Sequence, residues 1–322
     1  MKHKKASISV VIPVKNEGKN IQKCIEGILS QSIAVLEIIV IDSGSTDDTL
    51  SILKNYPEVK VIEINSKSFN HGLTRNLGVN HAQGDFVLFT VGDAGAFNEH
   101  WIEELFKSFD QSDVAGVCGQ QVVPHEPNKN PVEYFRPQSS PKKIKFQFKT
   151  EKAFNDLEPY QKKEACGWDD VNAMYRRDIL LKIPFQQTNY SEDAIWAKEA
   201  LLDGYALVYN DASRVYHYHF VDEDYTYKRT FTTSYYNYKY FGYVPSIPQY
   251  SLRSWLSMIK IILFEKKIKY SKKWFWFNYN VKSIQAMQKA IRDFNTKLNQ
   301  SEVALDRYHE EICDVPPIPL RF

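Results

Sequence analysis

Short hydrophobic runs alternate with amphipathic segments in the N-terminal part of the chain. Residues 8–14 (ISVVIPV) form a continuous run rich in β-branched residues, which is typical of a parallel strand buried on both faces. Later segments either repeat this pattern or place apolar residues at helical spacing. They predict further strands over 37–42, 59–64 and 85–90, and helices over 20–30, 46–56 and 73–81.

This order of elements predicts the fold class. Strands that alternate with helices in this way form an open, mostly parallel sheet with helices on both faces. The carboxyl ends of parallel strands meet at one edge of such a sheet, and ligands bind there. We therefore expect an α/β protein with its binding site at that edge.

Beyond Gly119 the pattern weakens. Residues 124–164 are rich in Pro, Lys and Gln, and they predict an irregular insert. Regular structure is predicted again over four segments, at 171–183, 193–204, 206–209 and 214–218.

From residue 224 onward the chain is predicted to be helical, aromatic and basic. We therefore expect a main domain over 1–223 and a helical extension over 224–322. Between residues 251 and 280, Trp, Leu and Ile residues lie beside several lysines, a mixture that favours interfacial binding to a membrane. A helix that packs on the main domain or on a second subunit fits nearly as well. The oligomeric state is not indicated by the sequence.

Composition and charge exclude several classes of protein. Lys and Arg total 41 against 39 acidic residues, so the positive field is too weak to make nucleic acid the expected partner. The basic segment at residues 1–5 leads directly into the first predicted strand, unlike a signal peptide. The four cysteines are far apart and form no CxxC pair, which fits a reducing compartment: Cys24, Cys118, Cys166 and Cys313. We therefore expect a cytoplasmic protein.

Polar side chains stand where three of the predicted strands end. Asp42 lies inside the end of its strand, where it can accept hydrogen bonds from the hydroxyl and imide groups of a nucleoside. Asp47 and Asp48 follow it and are expected to cap the next helix, with Thr46 or Asp47 at the N-cap position. The other two strand ends contribute Pro13, Lys15, Glu17, Gly92 and Asp93.

The phosphates of a nucleotide would need a cationic partner, because the chain contains neither GxGxxG nor GxxxxGK[ST]. Asp93, alone after an apolar strand, is a suitable oxygen ligand for Mg²⁺ or Mn²⁺. Arg75 could supply a further positive charge, or it could be an ordinary surface arginine.

Five segments of the chain, in this order, resemble family-2 glycosyltransferases of the GT-A fold. They are VVIPVKNE, IIVIDSGSTDDT, NHGLTRNLG, GDFVLFTVGDA and SEDAIWAKEALLDGY. The stretch FNHGLTRNLGVNHAQGDFVLFTVGDA, followed by HWIEEL, is most similar to the rhamnosyltransferase-like branch. The resemblance runs from about residue 7 to residue 218, and it implies that the domain over 1–223 binds a nucleotide-sugar.

The resemblance implies an inverting transfer of a sugar in bacterial surface polysaccharide synthesis. The donor would be a nucleotide-diphosphate-sugar, the acceptor a glycan or lipid-linked glycan, and the cofactor Mg²⁺ or Mn²⁺. With a lipid-linked acceptor, the enzyme would be peripheral at the inner face of the cell membrane.

The resemblance also implies a role for each strand-end residue. Pro13, Lys15, Glu17 and Asp42 would hold the nucleoside, Gly92 would line the donor site, and Arg75 would lie near the base or phosphates.

Metal binding would centre on Asp93, which corresponds to the second Asp of the DxD motif of the family. Val91 replaces the first Asp of this motif, a departure that the rhamnosyltransferase-like branch tolerates. His217 or His219 would complete the metal site or contact the diphosphate. The alternative for this pair is an ordinary structural role on one face of a strand.

The catalytic base would be Asp193, with Glu192 beside it in the ED motif. Without the resemblance, two adjacent acids at the start of a helix are more often dipole-favoured caps. Trp168 and Asp170 could bind the acceptor, with Trp168 as a platform for a sugar ring; packing in the core is the alternative for Trp168.

Two other classes of function remain open. A non-catalytic nucleotide-sugar or glycan-binding module of the same fold predicts loss of the base, whereas Asp193 is present. A nucleotidyltransferase predicts a Gly-rich, basic loop after the first strand, where this chain has only the segment KNEG.

Overall fold

A computed structural model describes residues 7–137 and 141–313 of the protein. The basic segment at residues 1–5 lies outside the described residues, as do residues 138–140 of the predicted insert. Contacts group the described residues into two compact units. The first comprises 7–122, 141–158 and 164–217, and the second comprises 123–137, 159–163 and 218–313. The predicted division of the chain at residue 223 stays a prediction.

The helices and strands follow one another in a nearly regular alternation up to β4. In chain order they are β1 (Ile8–Val14), α1 (Ile21–Leu29), β2 (Glu37–Asp42), α2 (Thr49–Leu53), β3 (Val59–Glu63), a 3-10 turn (Ser66–Ser68), α3 (His71–His81), β4 (Phe86–Phe89), β5 (Gly95–Ala96), α4 (Trp101–Phe106), β6 (Val114–Val122), β7 (Lys143–Phe146), α5 (Glu151–Asn155), α6 (Pro159–Ala165), β8 (Ala173–Arg176), α7 (Arg177–Lys182), α8 (Glu192–Leu202), β9 (Ala206–Tyr216), α9 (Glu223–Phe241), α10 (Leu252–Phe264), α11 (Tyr270–Gln300) and α12 (Glu302–Cys313).

The strands of the first unit form one sheet in the order β3-β2-β1-β4-β8-β6-β9-β5, with β7 also paired to β9. Strands β1 to β4 are parallel neighbours, as predicted. Beyond β4 the sheet is mixed, because β8 runs antiparallel to β4 and β6, and β5 and β7 run antiparallel to β9. All of these antiparallel strands come from the part of the chain after residue 90, where the strand–helix alternation is lost.

Helices cover both faces of the sheet. On one face, the buried side of α1 (Ile21, Ile25 and Ile28) shares a core with alternate residues of β1. On the other face, α3 lies so close to β1 that a Cβ atom on Gly78 would stand 2.3 Å from Val11 Cγ1. Glycine at position 78 is therefore what allows α3 to pack at this distance.

Several predicted elements differ from the observed ones. Helix α2 is limited to Thr49–Leu53 with Asp48 at its N-cap position, so neither Thr46 nor Asp47 occupies it. The predicted insert contains β7, α5 and α6. The two short strands predicted at 206–209 and 214–218 are one strand, β9. Its polar centre resembles a turn in sequence, but Asn210 is buried and donates to Ser108 Oγ and the Glu104 carbonyl.

The second unit is mainly helical and has its own buried clusters. One cluster contains Tyr134, Met258, Ile262, Ile268 and Trp276, and another contains Phe231, Ala290, Phe294, Leu305 and Cys313. The side-chain amides of Asn130 and Asn280 are buried and donate to each other, each at 3.0 Å. Across residues 7–137 and 141–313, no helix is both long enough and apolar enough to cross a bilayer.

Candidate active site

The turns that follow β1 and β2 are joined by hydrogen bonds. Asn16 adopts a left-handed conformation with φ of 57°. Its backbone N–H donates to Ser45 Oγ at 2.8 Å, and its Oδ1 accepts from the N–H of Thr46 at 2.8 Å. The parallel register, with Val14 opposite Asp42, brings these turns side by side. The strand-end residues predicted to hold a nucleoside therefore lie on one connected pair of turns.

Asp42 presents an unused acceptor in this region. Its side chain is buried, and Oδ2 accepts from the N–H groups of Gly44 and Ser45, each at 2.9 Å. Oδ1 is also buried but has no hydrogen-bond partner within the described residues. A buried carboxylate oxygen without a donor is costly, so this atom is suited to accept from a ligand hydroxyl or imide.

Asp47 differs from Asp42 in that the fold uses both of its oxygens. Oδ1 accepts from Thr49, and Oδ2 accepts from the N–H of Gly18 at 2.9 Å. Asp47 thus stabilises the start of α2 and the turn after β1, close to its expected capping role although Asp48 occupies the N-cap position.

Of the other residues predicted to hold the nucleoside, Lys15 is exposed, Pro13 is half-buried and Glu17 is buried. The backbone N–H of Glu17 donates to Thr49 Oγ1 at 2.7 Å, and its carbonyl accepts from the first N–H groups of α1. These bonds fix the position of the turn. Gly92 packs against it, because a Cβ atom on Gly92 would lie 2.7 Å from Glu17 Cγ.

The turn that contains Asp93 adjoins this region. Burial, together with the charges of Asp93 and Glu17, raises the pKa of Cys24 on α1 to about 12. Both carboxylates therefore act on the same thiol. Strands β5 and β9 pair antiparallel with Gly95 opposite Tyr216, which brings Asp93 to the end of β9.

Asp93 and His217 form a metal-ligand cluster at this point, within the first unit. His219 belongs to the second unit, and its expected part in the metal site stays a prediction. His217 Nε2 is 3.5 Å from Asp93 Oδ1. A carboxylate with imidazole nitrogens suits Mn²⁺ and other transition metals better than Mg²⁺, which prefers oxygen.

A second cluster surrounds Arg75, which is buried, so the alternative of a surface arginine is wrong. Its Nε lies 3.1 Å from Asp170 Oδ2, and its Nη1 donates to Glu192 Oε1. Asp170 Oδ1 also accepts from the Tyr175 hydroxyl. The structure thus places Arg75 between two carboxylates, and its expected contact with the base or phosphates stays a prediction.

The two carboxylates respond differently to this environment. Burial raises the pKa of Asp170 to about 6, although Arg75 opposes the shift. Burial also acts to raise the pKa of Glu192, but the positive charges of Arg75 and His71 outweigh it, so this pKa is lowered. Glu192 therefore stays ionised at neutral pH and serves as a counter-charge of Arg75 beside Asp170.

Asp193 stands at the start of α8 next to this cluster. The preceding residue, Ser191, has a left-handed backbone with φ of 60°, and Asp193 Oδ1 accepts from the N–H of Ala194 at 2.7 Å. Burial and the negative charges of Glu192, Asp170 and Asp169 raise the pKa of Asp193 well above its usual range. A carboxylate with a raised pKa is a stronger base once ionised.

Trp168 belongs to an aromatic core group. Its ring is buried beside Tyr175 and Trp196, and its Nε1 donates to the Tyr175 hydroxyl at 2.5 Å. These contacts support core packing for Trp168, and a role as a sugar platform stays a prediction. Asp170 is likewise buried and contacts Arg75 and Tyr175, and its expected contact with an acceptor also stays a prediction.

Gln121 connects the two clusters and was not predicted from the sequence. Its Nε2 donates to Asp169 Oδ2, and its Oε1 contacts His217 Nδ1. No sequence signal identifies this residue, because its partners lie 48 and 96 positions away in the chain.

Comparison with known proteins identifies the family. The sequence model of glycosyl transferase family 2 matches residues 9–183, more than half of the chain. The chain belongs to glycosyltransferase family 2. The family resemblance predicted from the sequence motifs is thus confirmed, and with it the prediction of an enzyme that transfers sugars.

Relatives of this family 2 glycosyltransferase include two O-antigen chain rhamnosyltransferases. WbaN of Salmonella anatum is 29% identical over 234 residues, which cover 70% of this chain and 71% of the relative. RfbN of Salmonella typhimurium is 30% identical over 215 residues, which cover 66% of each. These similarities confirm the predicted relationship to the rhamnosyltransferase-like branch of family 2.

Solved structures confirm the GT-A-type fold of this family 2 member. The mannosyltransferase PcManGT of Pyrobaculum calidifontis, solved in complex with GDP-Man and Mn²⁺, gives a TM-score of 0.55 at 14% identity. The superposition covers 95% of this chain and 83% of that structure. Residues 1–349 of TarS from S. aureus, solved with UDP-GlcNAc, give a TM-score of 0.50 at 15% identity, covering 90% and 92% of the two chains. At these identities the likeness shows the fold alone.

Proposed function

We propose that this chain is an inverting glycosyltransferase of bacterial surface polysaccharide synthesis. It transfers a sugar from a nucleotide-diphosphate-sugar donor to a glycan acceptor. The observation that carries this proposal is that a carboxylate with a raised pKa, Asp193, belongs to the same unit as the carboxylate–imidazole cluster of Asp93 and His217, with Gln121 connecting the two regions. The rhamnosyltransferase relatives favour rhamnose as the sugar that is moved.

The donor nucleoside binds at the paired turns after β1 and β2. Asp42 Oδ1 accepts a hydrogen bond from it, since this atom is buried and has no donor within the described residues. Lys15 is exposed beside it and can approach a phosphate, while Pro13, Glu17 and Gly92 shape the wall of the site. Arg75 would lie near the base or phosphates, with its positive charge shared by Asp170 and Glu192.

Asp93 and His217 fit a divalent cation, and the family resemblance adds His219 as a further ligand. A carboxylate oxygen 3.5 Å from an imidazole nitrogen favours Mn²⁺, with Mg²⁺ as the other candidate. When bound, such an ion would offset the negative charge that develops on the departing diphosphate.

Asp193 acts as the general base in a single displacement. It takes the proton of an acceptor hydroxyl while that oxygen forms a bond to the anomeric carbon. The bond from this carbon to the diphosphate oxygen breaks at the same time, and its electron pair leaves with the nucleoside diphosphate. Attack from the face opposite the leaving group inverts the anomeric configuration. Glu192, paired with Arg75, holds the start of α8 in place.

The acceptor is a lipid-linked glycan, and the enzyme works in the cytoplasm at the inner face of the membrane. This part of the proposal rests on the loop between α10 and α11 and its flanks. Large apolar side chains there are exposed, namely Leu263 (51%), Phe264 (75%), Tyr270 (86%) and Trp274 (69%). Lysines alternate with them at Lys266, Lys267, Lys269, Lys272 and Lys273. Aromatic rings and cations together suit the interface of an anionic bilayer.

The test measures donor binding and donor hydrolysis. Wild-type protein, Asp93→Asn and Asp193→Asn would be incubated with sugars linked to UDP, GDP or dTDP, with and without Mn²⁺, and with water as the acceptor. Asp110→Asn, an exposed acid of the same unit, serves as the control. We expect Asp193→Asn to bind the donor but to lose about 10²–10⁴-fold in rate. Asp93→Asn should lose the stabilisation that depends on Mn²⁺.

Two results would contradict the proposal. If no nucleotide-sugar raises the melting temperature under any condition, the donor site is wrong. If a donor binds but wild type and Asp193→Asn are equally inactive, the chain is a non-catalytic nucleotide-sugar-binding module of the same fold.

A further inference from the structure

The amide group of Gln121 lies between two groups that the proposed reaction needs. Nε2 donates to Asp169 Oδ2, and Oε1 contacts His217 Nδ1. Asp169 and His217 are both fixed by the backbone around them. Asp169 Oδ1 accepts from the N–H of Val171 at 2.9 Å, and the N–H of His217 donates to the Val122 carbonyl at 3.2 Å. Gln121 therefore bridges two rigid points of the first unit.

The hydrogen-bonding capacity of each partner determines which way the amide faces. An ionised carboxylate can only accept, so the NH₂ group of Gln121 must face Asp169. The carbonyl oxygen of the amide then faces the imidazole, and it can only accept as well. His217 must therefore donate from Nδ1. Its Nε2, which lies 3.5 Å from Asp93 Oδ1, is left as the nitrogen directed at the metal-ligand cluster.

We propose that Gln121 is a positioning residue that holds His217 in the Nδ1–H tautomer, with the lone pair of Nε2 available to a divalent cation. This inference deepens the proposed function, because the cation site is the one proposed above. Groups that accept the second ring proton of a metal-binding histidine fix its tautomer and its orientation, and their loss weakens metal binding by roughly 10–100-fold.

The bridge also connects the metal-ligand cluster to the base. Asp169 is one of the negative charges that raise the pKa of Asp193. A change at Gln121 therefore acts on both clusters through the direct partners of its side chain, Asp169 and His217. A residue that only supported the strand would leave the state of the His217 ring unchanged.

The neighbouring Gln120 provides a matched control. It has the same side chain on the same strand, but successive residues of a strand point to opposite faces. Its Oε1 accepts from Arg214 Nε at 3.3 Å. Gln120→Leu and Gln121→Leu thus remove the same groups from the same strand, and the inference predicts an effect on His217 from Gln121→Leu alone.

The first measurement observes the tautomer without any metal. Protein labelled with ¹⁵N at its histidines would be studied by long-range ¹H–¹⁵N correlation at pH 8.5, and His217→Ala would assign the signal. We expect the Nδ1–H form of His217 in the wild type and in Gln120→Leu, and loss of this preference in Gln121→Leu. An Nε2–H form in the wild type, or an unchanged form in Gln121→Leu, would overturn the inference.

The second measurement is the dissociation constant of Mn²⁺, determined by electron paramagnetic resonance of the free ion. Gln121→Leu should weaken binding by roughly 10–100-fold. The double variant Gln121→Glu with Asp169→Asn keeps an acceptor for Nδ1–H without opposing two carboxylates, and it should restore most of the affinity. Equal weakening in Gln120→Leu would contradict a specific role. A wild type that binds no Mn²⁺ but shows the expected tautomer would count against the proposed metal site and leave the positioning by Gln121 supported.

Discussion

The Nε atom of Arg75 lies 3.1 Å from Asp170 Oδ2, and the two side chains are only 8% and 1% exposed. Glu192 contacts the same guanidinium from another side. A buried ion pair of this kind contributes little net stability over an apolar replacement of both partners, but removal of one partner leaves the other charge uncompensated. Arg75 is therefore a structural requirement of the acidic cluster that contains Asp193.

Replacing Arg75 with Met should lower the free energy of unfolding by about 3–5 kcal/mol at pH 8. The loss should be smaller at pH 5. In the wild type, Arg75 holds the pKa of Glu192 below its ordinary value of 4.5, so the stability from this pair is present at both pH values and is lost only as pH falls through the lowered pKa. In the variant, the buried acids are tolerated only when protonated. Urea unfolding at both pH values measures the difference, with the exposed Arg253→Met as control. A loss that does not depend on pH would contradict this account.

Glu192→Gln should shift the acid limb of the pH–rate profile to lower pH. Glu192 is the strongest of the neighbouring charges that raise the pKa of Asp193, and its removal also frees Arg75 to act on the remaining acids. Both changes lower the pKa of Asp193, so the base stays ionised at lower pH but becomes weaker, and the maximal rate should fall. The profile of kcat against pH checks this. Glu199→Gln, on the same helix, should leave the acid limb in place.

Asp42→Asn should weaken binding of a nucleoside diphosphate by roughly 10–100-fold, since a hydrogen bond to a charged group is worth about 1.5–3 kcal/mol. The remaining amide oxygen can still accept from Gly44 and Ser45, so the melting temperature should change little. Calorimetric titration with UDP, GDP and dTDP measures the affinity. Asp47→Asn should have the opposite effect: the melting temperature of the protein should fall, while its affinity for the nucleoside diphosphate should stay the same. A similar loss of affinity in both variants would contradict a specific role for Asp42.

Exchange of Phe264 and Trp274 for Ser should weaken membrane association. Exposed aromatic side chains contribute buried apolar area at a bilayer interface, and we expect at least about a tenfold loss of binding to vesicles that contain phosphatidylglycerol. Sedimentation with vesicles measures the effect, and high salt should reduce binding of the wild type. Tyr160→Ser removes an exposed ring elsewhere and should change nothing. A different outcome is that the wild type fails to bind vesicles and forms dimers that the exchange of Phe264 and Trp274 abolishes. In that case the surface around these two side chains binds a second copy of the chain.

The parallel half of the sheet could be predicted from the sequence because it depends on local patterns. Strands β1 and β2 begin and end at the predicted residues. A continuous run of β-branched residues is typical of a strand buried on both faces, so the run itself indicates the strand. Strand β9 was predicted in two pieces, because a buried Asn210 with distant partners looks in sequence like a turn residue. The hydrophobic pattern of a segment cannot show that one of its polar side chains finds its hydrogen-bond partners on another helix or strand.

The same limit applies to the candidate site. Asp42, Asp93 and Asp193 stand at element ends, within segments that the family resemblance picks out, and their roles stay predictions. The burial of Arg75 and Trp168 depends on residues more than a hundred positions away or on another helix, such as Glu192 for Arg75 and Trp196 for Trp168. The structure, and not the sequence, therefore shows that Arg75 is a charge partner of Glu192 and that Trp168 packs against Trp196.

The mutual amide pair of Asn130 and Asn280 has a consequence for biosynthesis. These residues are 150 positions apart, yet both are buried in the second unit. As the chain leaves the ribosome, residues 123–137 gain this amide pair only after α11 has been synthesised, so the second unit is completed after that helix. Shortened versions of the protein that stop before residue 280 would lose the Asn280 amide and leave Asn130 with Glu133 and Val132 as hydrogen-bond partners. The helical C-terminal part is thus not a removable tail, and expression of the N-terminal segment alone should yield protein prone to aggregation.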